Sequence, residues 1–153
     1  MNKSIVWFVS LLILIPIGCD NETGTKIDAQ TELNMFIMDM NPELYQTTSK
    51  MREEIILADK KIQQLYDLKG MFPDQRDMIN GAIKQWQTLR KQLVLTLDNI
   101  NHKVEGAYVA YKIDEIQGRK KFGMMSQKLL EDSKTVLADA EIIKSTIEKE
   151  LYE

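Results

Sequence analysis

Leu44, Thr48, Met51, Ile55, Ala58, Ile62, Leu65, Lys69 and Phe72 follow one another at alternating steps of four and three. Such steps keep one stripe of a helix turned toward a partner helix. Lys69 is the blemish in that stripe. A second stripe runs through Ile79, Ala82, Trp86, Leu89, Leu93, Thr96, Ile100 and Val104. A third runs through Met125, Leu129, Ser133, Val136, Ala140, Ile143 and Ile147, and Leu130 and Leu137 widen it to the face a bundle needs. Apolar/polar alternation of period two is nearly absent. "GAYVAYKI" (106–113) also suits a short strand, but nothing in the chain offers it a partner strand.

Punctuation divides these stripes. Asp28 is a suitable N-cap for a first helix carrying Leu33, Phe36, Ile37 and Met40. Asn41-Pro42 interrupts it: the residue before proline avoids helical angles, and proline suits the first position of a new helix. Gly70 reads as a stop, Phe72-Pro73-Asp74 as a turn, and the glycine-bracketed stretch Gly118 to Gly123 as a second turn. The expected helices cover 28–40, 42–69, 74–117 and 124–151, within a domain of residues 28–153. The fold expected is all-α. It is either an elongated antiparallel three-helix bundle or a coiled-coil-like helical hairpin with a third, shorter helix. At ~1.5 Å per residue the third arm is about 42 Å long against about 66 Å for the second. The turn at 70–73 then stands out as a two-helix tip, where Tyr66, Met71, Phe72 and Met78 have few neighbours and form a candidate partner-binding surface. A break of the long helix near Asn101-His102 would remove that overhang. Met35, Met38 and Met40 are expected to fill the core at the other end.

The N-terminus follows a different rule. Met1 to Ser4 is short and basic, Ile5 to Ile17 is almost wholly apolar, and Gly18 is small. This is the layout of an export signal over residues 1–18. The apolar run falls short of the ~20 residues a spanning helix needs. A polar tether, 19–27, follows. The chain's one cysteine, Cys19, stands at the junction, so an intramolecular disulfide is impossible. Ile15-Pro16-Ile17-Gly18-Cys19 resembles the lipobox of bacterial lipoprotein precursors, with Pro16 where leucine is usual. The resemblance covers residues 1–19 alone. It implies cleavage before Cys19, a diacylglyceryl thioether on its sulfur, and a protein held by lipid on the bacterial cell membrane, facing the periplasm or the cell exterior. Asp20 resembles the inner-membrane retention signal of enteric lipoproteins, a rule that varies between bacterial groups, so inner and outer membrane both stay open.

Charge narrows the partners. The chain carries a net −3, and Lys3 is the one charged residue within 1–18. The remainder is mildly acidic and of mixed sign, so no nucleic-acid partner is expected. Arg119-Lys120-Lys121 is the densest basic cluster and reads as a solvated turn or, at a membrane-facing base, as a contact for anionic headgroups. Asp98, His102 and Glu105 share one helix face and form a candidate metal set, though ligands from a single turn of helix make a weak site. Glu53-Glu54 reads as an outer helix face. No GxSxG, HExxH or phosphate-binding glycine loop occurs. No catalytic residue and no cofactor is expected. The function expected is a non-enzymatic scaffold or accessory of an envelope complex, contacting an envelope protein or a second copy of itself. A lipoprotein that binds a small ligand or a metal is the alternative.

Overall fold

Asn41 ends one helix and begins the next. Its N–H donates to Ile37 O at 2.8 Å while its side-chain Oδ1 accepts from Leu44 N at 3.0 Å. The backbone there is outside the helical region, at φ −154° and ψ 86°. The computed structural model describes residues 28–152. The signal-like residues 1–18, Cys19 and the tether 19–27 lie outside the described residues. The elements are α1 (Ala29–Met40), α2 (Pro42–Met71), a 3₁₀ turn (Pro73–Gln75), α3 (Arg76–Ile113) and α4 (Glu115–Tyr152). The fold is an all-α helical bundle, without strands among the described residues. No helix among them is long and apolar enough to cross a membrane.

The corner at Asn41 is sharp. Arg52 Nη2 donates to Asn34 Oδ1 at 3.2 Å. On one straight helix these residues would lie roughly 27 Å apart, so α1 doubles back along α2. Asp114 makes a second corner of the same kind. Its N–H donates to Ala110 O at 2.8 Å, and its Oδ1 accepts from Gln117 N at 3.1 Å. Both corners use an Asx side chain to satisfy an amide that a helix start leaves bare. Asp28 caps α1 likewise, accepting from Thr31 N at 2.8 Å.

The second turn is therefore not at 118–123. The long helix ends at Ile113 rather than 117, and the last helix begins at Glu115 rather than 124. Gly118 and Gly123 lie inside α4, where glycine's intrinsic helix propensity is about 1 kcal/mol poorer than alanine's. Gly118 has a reason to be glycine. A Cβ there would lie 2.2 Å from Tyr111 Cα, so the two helices leave the corner backbone to backbone. Helices α3 and α4 are consequently equal, at 38 residues each. The third helix is not shorter, α3 passes through Asn101-His102 unbroken, and the two-helix overhang does not exist. Gly70 is also interior: α2 runs to Met71, and Phe72 leaves the helix at φ −122°, ψ 78°, as a residue before proline does.

Helices α2, α3 and α4 lie side by side in alternating directions. Arg90 pairs with Asp59 across α2–α3, Gln85 Nε2 donates to Glu150 at 3.0 Å across α3–α4, and Lys144 pairs with Glu54 across α2–α4. The stripes face inward much as their spacing requires. Leu44, Met51, Ala58, Trp86, Leu89, Leu93, Ile100, Val104, Leu129 and Ile147 are fully or almost fully buried. Phe72 departs most, exposed at the end of the first stripe, and in the second Thr96 is only partly buried while Leu97 is buried beside it. Truncating one of the buried leucines to alanine costs about 2–5 kcal/mol. Thr48 and Ser133 are wholly buried, and their hydroxyls donate back to Tyr45 O at 2.9 Å and Leu129 O at 2.6 Å.

Helix α1 closes the bundle at the Asp114 end. Phe36 packs its ring against Tyr108, Tyr111 and Phe122 at centroid distances of 5.3, 5.1 and 5.2 Å. Tyr108 Oη donates to Glu32 Oε2 at 2.6 Å, and Lys112 Nζ stands 3.2 Å from the same oxygen. These partners hold the Glu32 carboxyl below its usual range, the tyrosine hydrogen bond first. Met40 packs against this core, but Met35 and Met38 point outward, half exposed, so they do not fill it.

Candidate functional site

Phe72 leaves α2 toward the far end of the bundle, opposite α1. The 3₁₀ turn after it makes no side-chain cap. Every residue from Met71 to Met78 is exposed, and α3 dips under cover only at Ile79. The last turns of α4 rise beside it. Together they shape an open cleft of about 210 Å³, whose apolar wall and floor are Leu65, Leu68, Phe72, Met78, Ile79, Trp86, Ile147 and Leu151. Trp86, at 2% exposure, and Ile147, at 0%, form the floor. Lys61, Gln64, Gln75 and Glu148 stand on the polar rim.

The residues expected to meet a partner divide here. Phe72 and Met78 line the cleft and are 48% and 41% exposed. Met71 is the most open, at 69%, and stands outside the lining. Tyr66 lies on the α3 side of α2, its hydroxyl accepting from Gln87 Nε2 at 3.3 Å. The contribution of α4 is the part that spacing alone missed. Moving the second turn to Asp114 carries Ile147 and Leu151 up to the tip, and Asp114 with Gln117 three residues on is the capping pattern that marks the move.

The cleft holds few polar groups and no converging pair of acid and base. Its chemistry is apolar contact, with one cation and one anion on the rim. The Asp98, His102 and Glu105 side chains are exposed on the outer face of α3. No group of three His, Cys, Asp or Glu able to hold a metal ion occurs among the described residues. Cys19 lies outside the described residues.

Glu54 is not on an outer face. It is 9% exposed, and both its oxygens accept from Lys144 Nζ, at 3.1 and 3.0 Å, with Glu141 a third acceptor at 3.0 Å. Burial pulls the Lys144 ammonium down, but the hydrogen bonds to Glu54 and Glu141 outweigh it and hold the group above its ordinary value. The pair is a clasp between α2 and α4. Its stripe position gives it away: Glu54 follows Thr47 and Met51 by seven and three residues, on the widened inner face. No family model matches this chain, and no curated protein or solved structure matches it.

Proposed function

We propose that this chain is a bacterial lipoprotein held in the cell membrane by acylated Cys19. On this reading it faces the periplasm or the cell exterior and acts without catalysis, as a scaffold or accessory of an envelope complex, through protein contacts at the tip cleft. The observation that carries the reading is the placement of Cys19 directly after Gly18, at the end of an apolar run and nine residues before the bundle begins at Asp28. The bundle supplies the reach. Helix α3 has 38 residues and is about 57 Å long, with α1 at one end and the cleft at the other. Lipid near α1 would leave the cleft facing away from the bilayer. The cleft favours a protein side chain over a small molecule: its ~210 Å³ is below the roughly 300–1,000 Å³ of small-molecule pockets.

The first test is the mass of the mature N-terminus from membrane fractions, with Cys19→Ser as control. A diacyl or triacyl Cys19 is expected, and an unmodified Cys19 would sink the anchor. The contact surface is tested by a photoreactive residue in place of Met78. A discrete cross-linked product in cells, lost in Phe72→Glu with circular dichroism unchanged, is expected. Equal cross-linking in Phe72→Glu would mean that the cleft is not the contact.

A further inference from the structure

At the opposite end, the α3–α4 corner exposes large apolar side chains. Ile113 and Ile116 flank Asp114 and are 84% and 77% exposed, and Met124, two turns along the Ile116 face of α4, is 80% exposed. An apolar residue just before an N-cap normally packs on the residue four positions into the helix. That position is Gly118, which has no side chain and cannot be enlarged against Tyr111. The corner's own geometry thus leaves Ile113 nothing of its helix to pack on.

The charges around it are sorted. Glu115 and Asp39 face Arg119 at 2.9 and 3.6 Å, Glu32 faces Lys112, and Asp114 is engaged with the first amides of α4. Lys120 makes no ion pair among the described residues, and Lys121 makes none beyond a hydrogen bond to Gly106 O at 2.9 Å. Lys120 lies one turn from both Ile116 and Met124. An apolar knob with unpaired lysines behind it suits a bilayer surface, where isoleucine enters the acyl boundary and ammonium stays with anionic headgroups.

Where the chain enters the bundle gives the occupant. Ala29 and Gln30 border one surface hollow with Glu105, Tyr108 and Val109, so α1 starts about 6–12 Å along α3 from Ile113. Nine residues lead from Cys19 to Asp28, a reach of up to about 30 Å. An acylated Cys19 can therefore lie in the same leaflet that the corner touches. We propose that the Asp114 corner is a second membrane contact: Ile113 and Ile116 insert at the interface of an anionic bilayer, and Lys120 and Lys121 meet its phosphates. This rests on the lipid-anchor reading for its geometry, and it fixes how the bundle stands on the membrane.

The test uses the mature protein purified from membranes, carrying Ile116→Cys with an environment-sensitive fluorophore, or Ile142→Cys as a control exposed elsewhere on α4. An acylated Cys19 has no thiol, and the mass of the labelled protein verifies that. In vesicles of phosphatidylglycerol and phosphatidylcholine the label at 116 should brighten at least about twofold and shift to the blue, while the label at 142 should not. Lys120→Glu with Lys121→Glu should lower the response to that in phosphatidylcholine alone. Equal signals at 116 and 142 in an anchored protein would overturn the proposal. So would brightening that needs no vesicles and grows with protein concentration, which would assign the corner to a second copy. An unmodified Cys19 would sink the anchor separately. In that case Cys19→Ser is added to the labelled variants, so that position 116 carries the only thiol and the label still reports on the corner when vesicles are added to the protein.

Discussion

Lys144 and Glu54 are the residues at which charge and packing oppose each other most directly. Their side chains are 16% and 11% exposed, so each would be costly without the other. Lys144→Met should therefore lower stability by about 2 kcal/mol, because it strands the Glu54 carboxylate. Glu54→Leu combined with Lys144→Met should recover most of that loss, since two apolar groups replace a satisfied pair. Denaturant unfolding of the two variants distinguishes these cases. A double variant no more stable than Lys144→Met would mean that the clasp itself, rather than relief of a stranded charge, holds α2 to α4. Elsewhere on the surface the ion pairs carry less. Arg90–Asp59 and Lys134–Glu43 are about half exposed, and pairs of that kind contribute roughly 0–1 kcal/mol.

Among the elements, the two Asx corners decide the architecture. Asp114→Ala removes a cap and should cost about 1 kcal/mol. Gly118→Ala should cost more, because the added carbon meets the Tyr111 backbone at 2.2 Å and the corner must open. Thermal unfolding should thus rank Gly118→Ala below Asp114→Ala, whereas Gly123→Ala, in open space, should be neutral or stabilising. Equal melting of all three would show that the corner has slack. The corners also explain what the sequence makes legible. The seams of α2, α3 and α4 are readable because burial follows period: Leu44, Met51, Trp86, Leu93 and Ile147 are inside as spaced. Asn41 is readable because Pro42 follows it. Asp114 has no proline or glycine beside it, and the glycines at 118 and 123 suggest a turn that their helical neighbours override. That misplacement hid the α4 share of the tip cleft. Phe72 and Met78 are legible as exposed apolar residues near a turn, while the floor beneath them depends on a register set at the other end of the molecule.

For the whole molecule, acid acts on how α1 is held. Glu32 is lowered from its ordinary value near 4.5 by Tyr108 and Lys112, and Asp28 is lowered from 3.8 by the hydrogen bonds from Thr31. A carboxyl depressed in the folded state contributes stability that is present above its unfolded value and lost as pH falls through the folded one. Acid should therefore loosen the base before it melts the seam, and Glu32→Gln should flatten that part of the profile. Near-ultraviolet dichroism of the tyrosines, followed below pH 4.5, checks it. An unchanged profile in Glu32→Gln would assign the acid response elsewhere. The Asp114 corner has a further consequence, for how this chain can change length. With one residue between α3 and α4, an inserted residue has no loop to absorb it. Each would turn α4 by ~100° and swing Ile147 away from Trp86. Insertions and deletions can be absorbed instead around Phe72 to Gln75, or before Asp28, so the bundle can lengthen its tether or reshape its tip while the pairing of its two longest helices stays fixed.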